Sequence, residues 1–346
     1  MLTELVNRNG VEAADVEDVL WGCVSQIGEQ TYDIARTAAL AAGWPHSVTG
    51  VTVDRQCGSS QQAVHFAAAG LIAGHYDVAI AGGVESMSRV AMGSSTAQQQ
   101  PYPPSFQQRY GVPHQGAGAE EVALAWHLSR TQLDEFALQS HARAAMSQDQ
   151  GLFADEIAPV KGQAGTVDTD EGIRRGGTLD RIAQLPTPFR ENGVISAGNA
   201  SQISDGAAAL LMMTSEKAHQ LGLRPVARVH SVALAGADPV MMLTAPIPAT
   251  QKVLARSGLS ISDIGVFEVN EAFAPVPLAW LAETGASPAL TNPLGGAIAL
   301  GHPLGGSGAR LMTTMVHHMR HEGIRYGLQT MCEAGGQANA TVLELL

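Results

Sequence analysis

Two apolar textures alternate along this chain: short β-branched runs, and longer stretches in which alanine, leucine and methionine recur at helical spacing. Residues 1 to 9 carry the pattern of an amphipathic helix stopped at Gly10, and Asp18 to Val24 reads as a short strand after an acidic turn. A helix follows over Asp33 to Ala42, closed by Gly43-Trp-Pro, and then a strand over 51 to 54. The small-residue segment after Cys57 predicts a helix to Gly74, and Asp77 to Ala81 predicts a strand that Gly82-Gly83 ends in a turn. Strands apolar on both faces and alternating with helices predict parallel βαβ units, hence an α/β fold.

From about 90 to 200 the texture changes. Ser94 to Pro104 is rich in Ser, Gln and Pro and reads as an irregular loop. Glu120 to Gln150 is a helical region with Ser129 as a candidate N-cap, and Pro186 to Phe189 is loop again. This block reads as an insertion over the core. Gly206 to Met213 returns as a strand, and Arg228 to Gly236 opens a second set of elements that repeats the first. Val16 to Gln26 parallels Ile261 to Glu271, the turn at Cys57 parallels the turn at His302, and Tyr76 to Glu85 parallels Tyr326 to Gly336. A duplicated core brings corresponding turns to one cleft near its pseudo-twofold axis.

Composition narrows the partners. The 346 residues suffice for two domains, or for two halves with an insertion. A net charge of −12 excludes nonspecific nucleic-acid binding but leaves room for an anionic small ligand on a local basic patch. Charged residues make up only 15%, which predicts much buried surface, part of it between subunits. Three cysteines without CxxC spacing, Cys23, Cys57 and Cys332, make no disulfide framework and no structural zinc site; they predict a reducing, cytoplasmic setting. The first ten residues lack the apolar core of a signal peptide, and no run approaches the ~18 apolar residues of a membrane span, so the chain reads as soluble.

Chemistry gathers where strands end. Cys57 falls where a strand hands over to a helix, and the unpaired N–H groups and positive dipole end of a helix's first turn favour a thiolate there and can receive an oxyanion. Cys57 is thus a candidate nucleophile, or else a buried small hydrophobe. Asn270-Glu-Ala-Phe273, the glycine-rich turn around His302 and Cys332-Glu-Ala-Gly-Gly336 also lie at strand ends, where open α/β sheets place their sites. A histidine can take a thiol proton, and a second thiol can exchange a proton with carbon. Singly, His302 also fits a turn histidine and Cys332 plain core. No Lys-Ser/Thr follows Gly305-Gly306, so the glycine-rich run is not a P-loop.

Four segments, DRQCGSSQQA, NEAFAP, GGAIALGHPLGGSG and TMCEAGGQANAT, closely resemble, in order and spacing, the thiolases, the acyl-CoA:acetyl-CoA C-acyltransferases. The likeness spans nearly the whole chain, including HQGAGAEEVA, LSRTQLDEFALQSHARA, IRRGGTLD and AGNASQISDGAAALLM in the inserted block. It implies a duplicated βαβαβαββ core in five layers, α-β-α-β-α. The N-terminal half would span 1–92 and 205–220, a CoA-binding loop domain 93–204, and the C-terminal half 221–346. It implies that His302 deprotonates Cys57, that Cys57 attacks the keto carbonyl of a 3-oxoacyl-CoA, and that Cys332 protonates the departing enolate. A water on Asn270 together with His302 would hold one oxyanion, and the backbone N–H groups of Cys57 and Ala334 the other. Arg174 would lie near the CoA nucleotide, Leu185 and Phe189 along the pantetheine and Ser201 at its amide. Ala272 and Phe273 would line the tunnel, with His114 and Met242 near the reacting thioester. No metal or resident cofactor is implied, CoA being a substrate; dimers or tetramers are usual in the family. Lys161, Arg174, Arg175, Arg181 and Arg190 concentrate positive charge in this block, suited to CoA phosphates or to a solvated face.

Three departures stand out. The family's opening strand and Arg-Thr-Pro turn are not found before the first helix; that strand is expected centrally in its sheet, so that its absence leaves two neighbouring strands with open edges. This points to a mis-set start or an impaired product. Ala334 occupies a usual glycine position, which costs about 1–2 kcal/mol if the residue needs positive φ. Gln115 stands beside His114 where acetoacetyl-specific members carry methionine. The motif variants look more like the degradative branch acting on fatty-acyl, branched or sterol-derived substrates. The alternatives are a biosynthetic acetoacetyl-CoA thiolase and a catalytically silent thiolase-like subunit; a decarboxylating ketosynthase fits the second cysteine and NEAF poorly.

Overall fold

The structure is a computed structural model and describes residues 1–162 and 165–346. The first half runs α1 (Leu2–Asn9), β1 (Asp18–Gly22), α2 (Ile34–Ala41), β2 (Thr49–Val53), α3 (Ser59–Ala73) and β3 (Val78–Ser86). The intervening block holds α4 (Pro104–Tyr110), α5 (Gln115–Ala125), α6 (Arg130–Asp149), a hairpin of β4 (Val160–Gly162) and β5 (Gly165–Val167), and α7 (Leu179–Ile182). The chain returns through β6 (Asp205–Met213) and α8 (Ser215–Gln220). The second half comprises β7 (Ala227–Gly236), α9 (Pro246–Ser257), β8 (Val266–Val269), α10 (Pro275–Thr284), α11 (Ala297–Leu300), α12 (Ser307–Glu322), β9 (Tyr326–Glu333) and β10 (Gln337–Leu345).

The local reasons for these elements are visible in their ends. The Asp33 side chain accepts from the Arg36 N–H to start α2, and Ser129 with Gln132 forms a reciprocal capping box on α6. The helical region from Glu120 is two helices, broken after Trp126 by His127 at φ 52°. Helix α3 ends where Gly74 takes φ 73°, a left-handed turn with open space around its Cα.

Two sheets organise the layers. The first has the order β2-β1-β3-β6, parallel except for β6, with Leu20 opposite both Val51 and Ala81. The second has the order β7-β10-β9-β8, with β10 antiparallel to both neighbours. Helices α1 and α2 cover the outside of the first sheet and α9 the outside of the second, while α3 and α12 lie between them, giving α-β-α-β-α. The central layer explains why α3 is built from small residues: Ala63 and Ala67 meet Met312, Met315 and Met319 of α12. Two of its buried polar side chains reach across to β10, Gln61 Nε2 donating to Thr341 Oγ1 at 2.7 Å and His65 Nε2 lying 2.7 Å from the same oxygen.

Two expectations are corrected. Gly82 and Gly83 do not turn; β3 continues through them to Ser86, paired with Ala209 and Ala208 of β6. The glycines are required by close approach, since a Cβ on Gly83 would strike the Gly305 carbonyl oxygen and lie 2.7 Å from that of Gly22. The position corresponding to the family's opening strand is also an edge, not a centre. In the second sheet its counterpart β7 pairs only with β10, so the equivalent place in the first sheet is beyond β6, whose outer edge no strand pairs among the described residues. One strand, and not two, has an open edge there.

The glycine contacts make a stability contrast. Gly83→Ala should cost more than about 3 kcal/mol, because backbone on both sides must move, whereas Gly74→Ala should cost about 1 kcal/mol, from left-handed strain alone. Urea unfolding midpoints of the two variants check this; equal losses would refute it.

Candidate active site

The turn before α3 is fixed by its own polar groups. The Asp54 carboxylate accepts from the Gln56 N–H at 2.7 Å, Gln56 takes φ 49°, and Ser59 Oγ donates to the Gln56 carbonyl at 2.6 Å while accepting from the Arg55 N–H at 2.9 Å. This bend leaves Cys57 half-buried at the head of α3. Helix α12 begins against the same place: Ala309 N–H donates to Ser60 Oγ at 2.9 Å, and Gly308 has room for no side chain beside Gln61. The glycine-rich turn that leads into α12 therefore delivers His302 to the end of the molecule that bears Cys57.

His302 is buried, and its backbone N–H is held by the Gln202 carbonyl and Ser204 Oγ, both at 3.2 Å. Its Nδ1 lies 2.6 Å from Ser307 Oγ, and that hydroxyl donates its single hydrogen to the Pro303 carbonyl at 2.8 Å. Ser307 must then accept from Nδ1–H, which leaves a lone pair on Nε2. Nε2 faces Asn270 Nδ2 at 3.4 Å. Burial pushes the imidazole down to about 4, so the ring is neutral at physiological pH. Asn270 directly follows β8, is buried, and keeps its Oδ1 without a protein partner among the described residues. Next to it, the buried Glu271 carboxylate accepts from Ser140 Oγ at 2.6 Å, Asn292 Nδ2 at 2.9 Å and the Ile298 N–H at 3.2 Å, tying α6 and α11 to the end of β8.

Cys332, at the end of β9, is buried, and the proximity of Cys57 adds to its burial in pushing its thiol well above the ordinary range. The helix N-terminus does not lower the Cys57 pKa as expected: burial first, and then the carboxyl of Glu333, push that thiol up to about 12. Desolvation outweighs the dipole in a site this dry. Ala334 is not strained, for positive φ falls on Gly335 (85°) and Gly336 (74°) and not on it. Neither the Cys57 nor the Ala334 backbone N–H donates to a protein acceptor among the described residues.

The residues expected to wall a substrate meet in one apolar cluster. Cys332, Met242 and Ala272 are buried in it, with Leu185, Phe189, Phe273 and Ala334 packed against them. Phe189 links His114, 5.4 Å away between ring centroids, to Phe273 at 6.2 Å edge-on. His114 caps α5 by accepting from the Gly116 N–H on Nδ1. Ser201 adjoins the wall through its N–H on the Ala272 carbonyl at 2.9 Å. Met242 is held at φ 56° by its N–H on the Asp238 carbonyl at 2.8 Å.

Arg174 stands apart from this cluster, exposed, its backbone N–H on His141 Nδ1 at 3.1 Å. The basic block is smaller than the sequence suggested: Arg175 is paired with Asp149 at 2.8 Å and Arg190 with Glu121. Arg174, Arg181 and Lys161 make no ion pair among the described residues. Ser307, Glu271 and Glu333 were not singled out in the sequence. A hydroxyl five residues after a candidate base is the one local signal that could have found Ser307.

Comparison with known proteins gives the same grouping. Residues 1–216 match the thiolase N-terminal domain and residues 223–345 the thiolase C-terminal domain. A steroid 3-ketoacyl-CoA thiolase of Mycobacterium tuberculosis is 49% identical over 99% of this chain and 86% of its own length. A beta-ketoadipyl-CoA thiolase of Escherichia coli is 44% identical over 99% of this chain and 91% of its own. A 3-ketoacyl-CoA thiolase of Pseudoalteromonas translucida is 43% identical over 99% and 90%. With both domain matches and such relatives over almost its full length, the chain belongs to the thiolase family.

Proposed function

We propose that the protein cleaves 3-oxoacyl-CoA thiolytically with CoA, giving acetyl-CoA or propionyl-CoA and a shortened acyl-CoA, in degradation of fatty-acyl or sterol-type lipids. The observation that carries this reading is a buried thiol, Cys332, within electrostatic reach of the half-buried Cys57, together with a neutral imidazole whose Nε2 lone pair points at Asn270 Nδ2. The similarity to steroid 3-ketoacyl-CoA and 3-ketoacyl-CoA thiolases supports the degradative assignment.

In the first step His302 Nε2 takes the proton of Cys57 as its sulfur bonds to the keto carbon. The Cα–Cβ bond then breaks, its electron pair passing to an acetyl-CoA enolate that takes the proton of Cys332, and an acyl group remains on Cys57. In the second step the CoA thiol gives its proton to the Cys332 thiolate, and its sulfur displaces the acyl group from Cys57, which recovers its proton from His302. The N–H groups of Cys57 and Ala334 stabilise one negative oxygen, and a water on the unpartnered Asn270 Oδ1, with the protonated His302, the other. Phe189, Phe273, Leu185, Met242, Ala272, His114 and Ser201 wall the thioester and pantetheine, and Arg174 meets the CoA nucleotide. No metal or resident cofactor takes part; CoA is a substrate.

The enzyme is a homodimer or homotetramer on this reading. Its support is β2, the outer strand of its sheet, on which Val51 is 42% exposed, and α3, on which Phe66 is 48% and Ile72 89% exposed. Sedimentation as a monomer would remove that part. The setting is cytoplasmic, where three free thiols persist, and recovery in a secreted fraction would contradict it.

Cys57→Ala should abolish the acyl-enzyme seen by mass spectrometry, and an adduct persisting on another residue would refute the assignment. Cys332→Ser should still acylate but lose carbon protonation and α-proton exchange by about 10²–10⁴-fold. Thiolysis across a panel of 3-oxoacyl-CoAs should favour substrates longer than four carbons. A strong preference for acetoacetyl-CoA would favour a biosynthetic enzyme instead, and no turnover of any member would favour a silent subunit.

A further inference from the structure

We propose that Glu333 is a positioning residue for the reactive thiol, a buried carboxyl wedged beneath the Cys57-Gly58 turn whose charge decides how readily the thiolate can form. The inference rests on Cys57 as the nucleophile and gives a role to a residue that the proposed chemistry does not use.

The geometry is specific. Glu333 is 0% exposed at the end of β9, directly after Cys332, and no side chain donates to either carboxyl oxygen, the Asn339 backbone N–H being near it without full hydrogen-bond geometry. The carboxyl lies against the backbone of Gly58: a Cβ there would collide with Oε1 and come within 2.8 Å of Asn339 Nδ2. That same Nδ2 donates to the Gly58 carbonyl at 3.0 Å, so β10 holds the turn on its other side. Gly58 lacks a side chain because the acid occupies its space.

The groups facing this carboxyl come from three places. From the turn comes Arg55, whose guanidinium is held by Gln337 Oε1 at 3.0 Å while its Nε stays buried and unpartnered. From the same turn comes Cys57, from β9 Cys332, and from β10 Asn339, whose Oδ1 is also unpartnered. Asp54 and Glu85 act on Cys57 in the same sense as Glu333, more weakly. An ionised carboxylate so poorly supplied with donors in so dry a place is costly. Burial outweighs the opposing pull of Arg55 and of the Asn339 backbone N–H, and pushes the carboxyl up to about 8.

The sign follows directly. Below that pH the acid is neutral and adds no charge beside the thiol. Above it the carboxylate opposes the Cys57 thiolate, so the gain in reactivity that alkaline pH gives an ordinary cysteine is held back.

The test is the rate of Cys57 alkylation by iodoacetamide without substrate, read by peptide mass spectrometry over a pH series, in the wild-type protein and in Glu333→Gln. The wild-type rate should rise in two phases with a break near pH 8, and the ratio of variant to wild-type rate should climb about tenfold from neutral to alkaline pH, one pKa unit of like-charge repulsion. Superimposable profiles would overturn the proposal. Should Glu333→Gln not fold, the wild-type curve decides, because a rise described by one ionisation overturns it as well. Since alkylation needs no turnover, failure here is distinct from failure of the thiolase reading, which thiolysis surviving in Cys57→Ala would defeat.

Discussion

Everything at this site depends on one seam, where the glycine-rich turn of the second half is laid backbone against backbone on the strand ends of the first. Gly305 sits where Gly22 and Gly83 leave no side chain in its way, and the buried Glu85 carboxylate fastens it. That one group accepts from the N–H of Gly305 at 2.9 Å, of Val24 at 2.9 Å and of Ser25 at 3.0 Å, and from Gln30 Nε2 at 2.9 Å. Four donors on one carboxylate offset the cost of burying it and leave the turn no second arrangement. Because His302 precedes this turn and Ser307 follows it, the seam sets where the imidazole stands relative to α3 and its thiol.

The resting electrostatics constrain the order of events. Burial raises the thiol of Cys57 and lowers the imidazole of His302, so a preformed thiolate–imidazolium pair is not the state of the free site. On the proposed reading, proton transfer has to accompany attack, with the developing negative oxygen met by donors already in place. The tautomer imposed through Ser307 serves this, since it keeps the lone pair on the nitrogen that needs it. On that reading, the raised thiols stay protonated in the free site.

What could be read from the sequence was the part governed by neighbours along the chain. The handover from strand to helix at Cys57, the capping of α6 by Ser129 and the ends at Gly10 and Gly74 each follow from a few adjacent residues. Gly82-Gly83 was misread because a glycine pair is a turn signal locally, while its cause is close approach from segments distant in the chain, the Ala208 carbonyl and Trp21 ring at Gly82 and the Gly305 carbonyl at Gly83. Cys57 was expected to ionise because a helix dipole is local and desolvation is not. The charges of Arg175 and Arg190 are spent on acids brought up by α6 and α5, which no count of basic residues reveals. The place of the opening strand became clear only when β7 showed its counterpart to be an edge.

The inserted block shows the same economy of buried acids. Glu120 of α5 accepts from the N–H groups of Val194 and Ile195, Asp134 of α6 from Arg130 and Asn199, and Glu271 of the core from Ser140 on α6. Glu120 and Asp134 thereby hold the irregular backbone that follows Phe189 against α5 and α6. Arg130 also donates to the carbonyls of Ile182 and Leu185, so the loop that presents Leu185 is held from within the protein. The wall facing Cys332 is therefore anchored to α5 and α6 on both sides of Phe189 although much of it is loop. On the proposed reading, acyl-chain preference then follows from the shapes of Met242, Phe189 and Phe273, because the backbone behind them has little freedom to adapt.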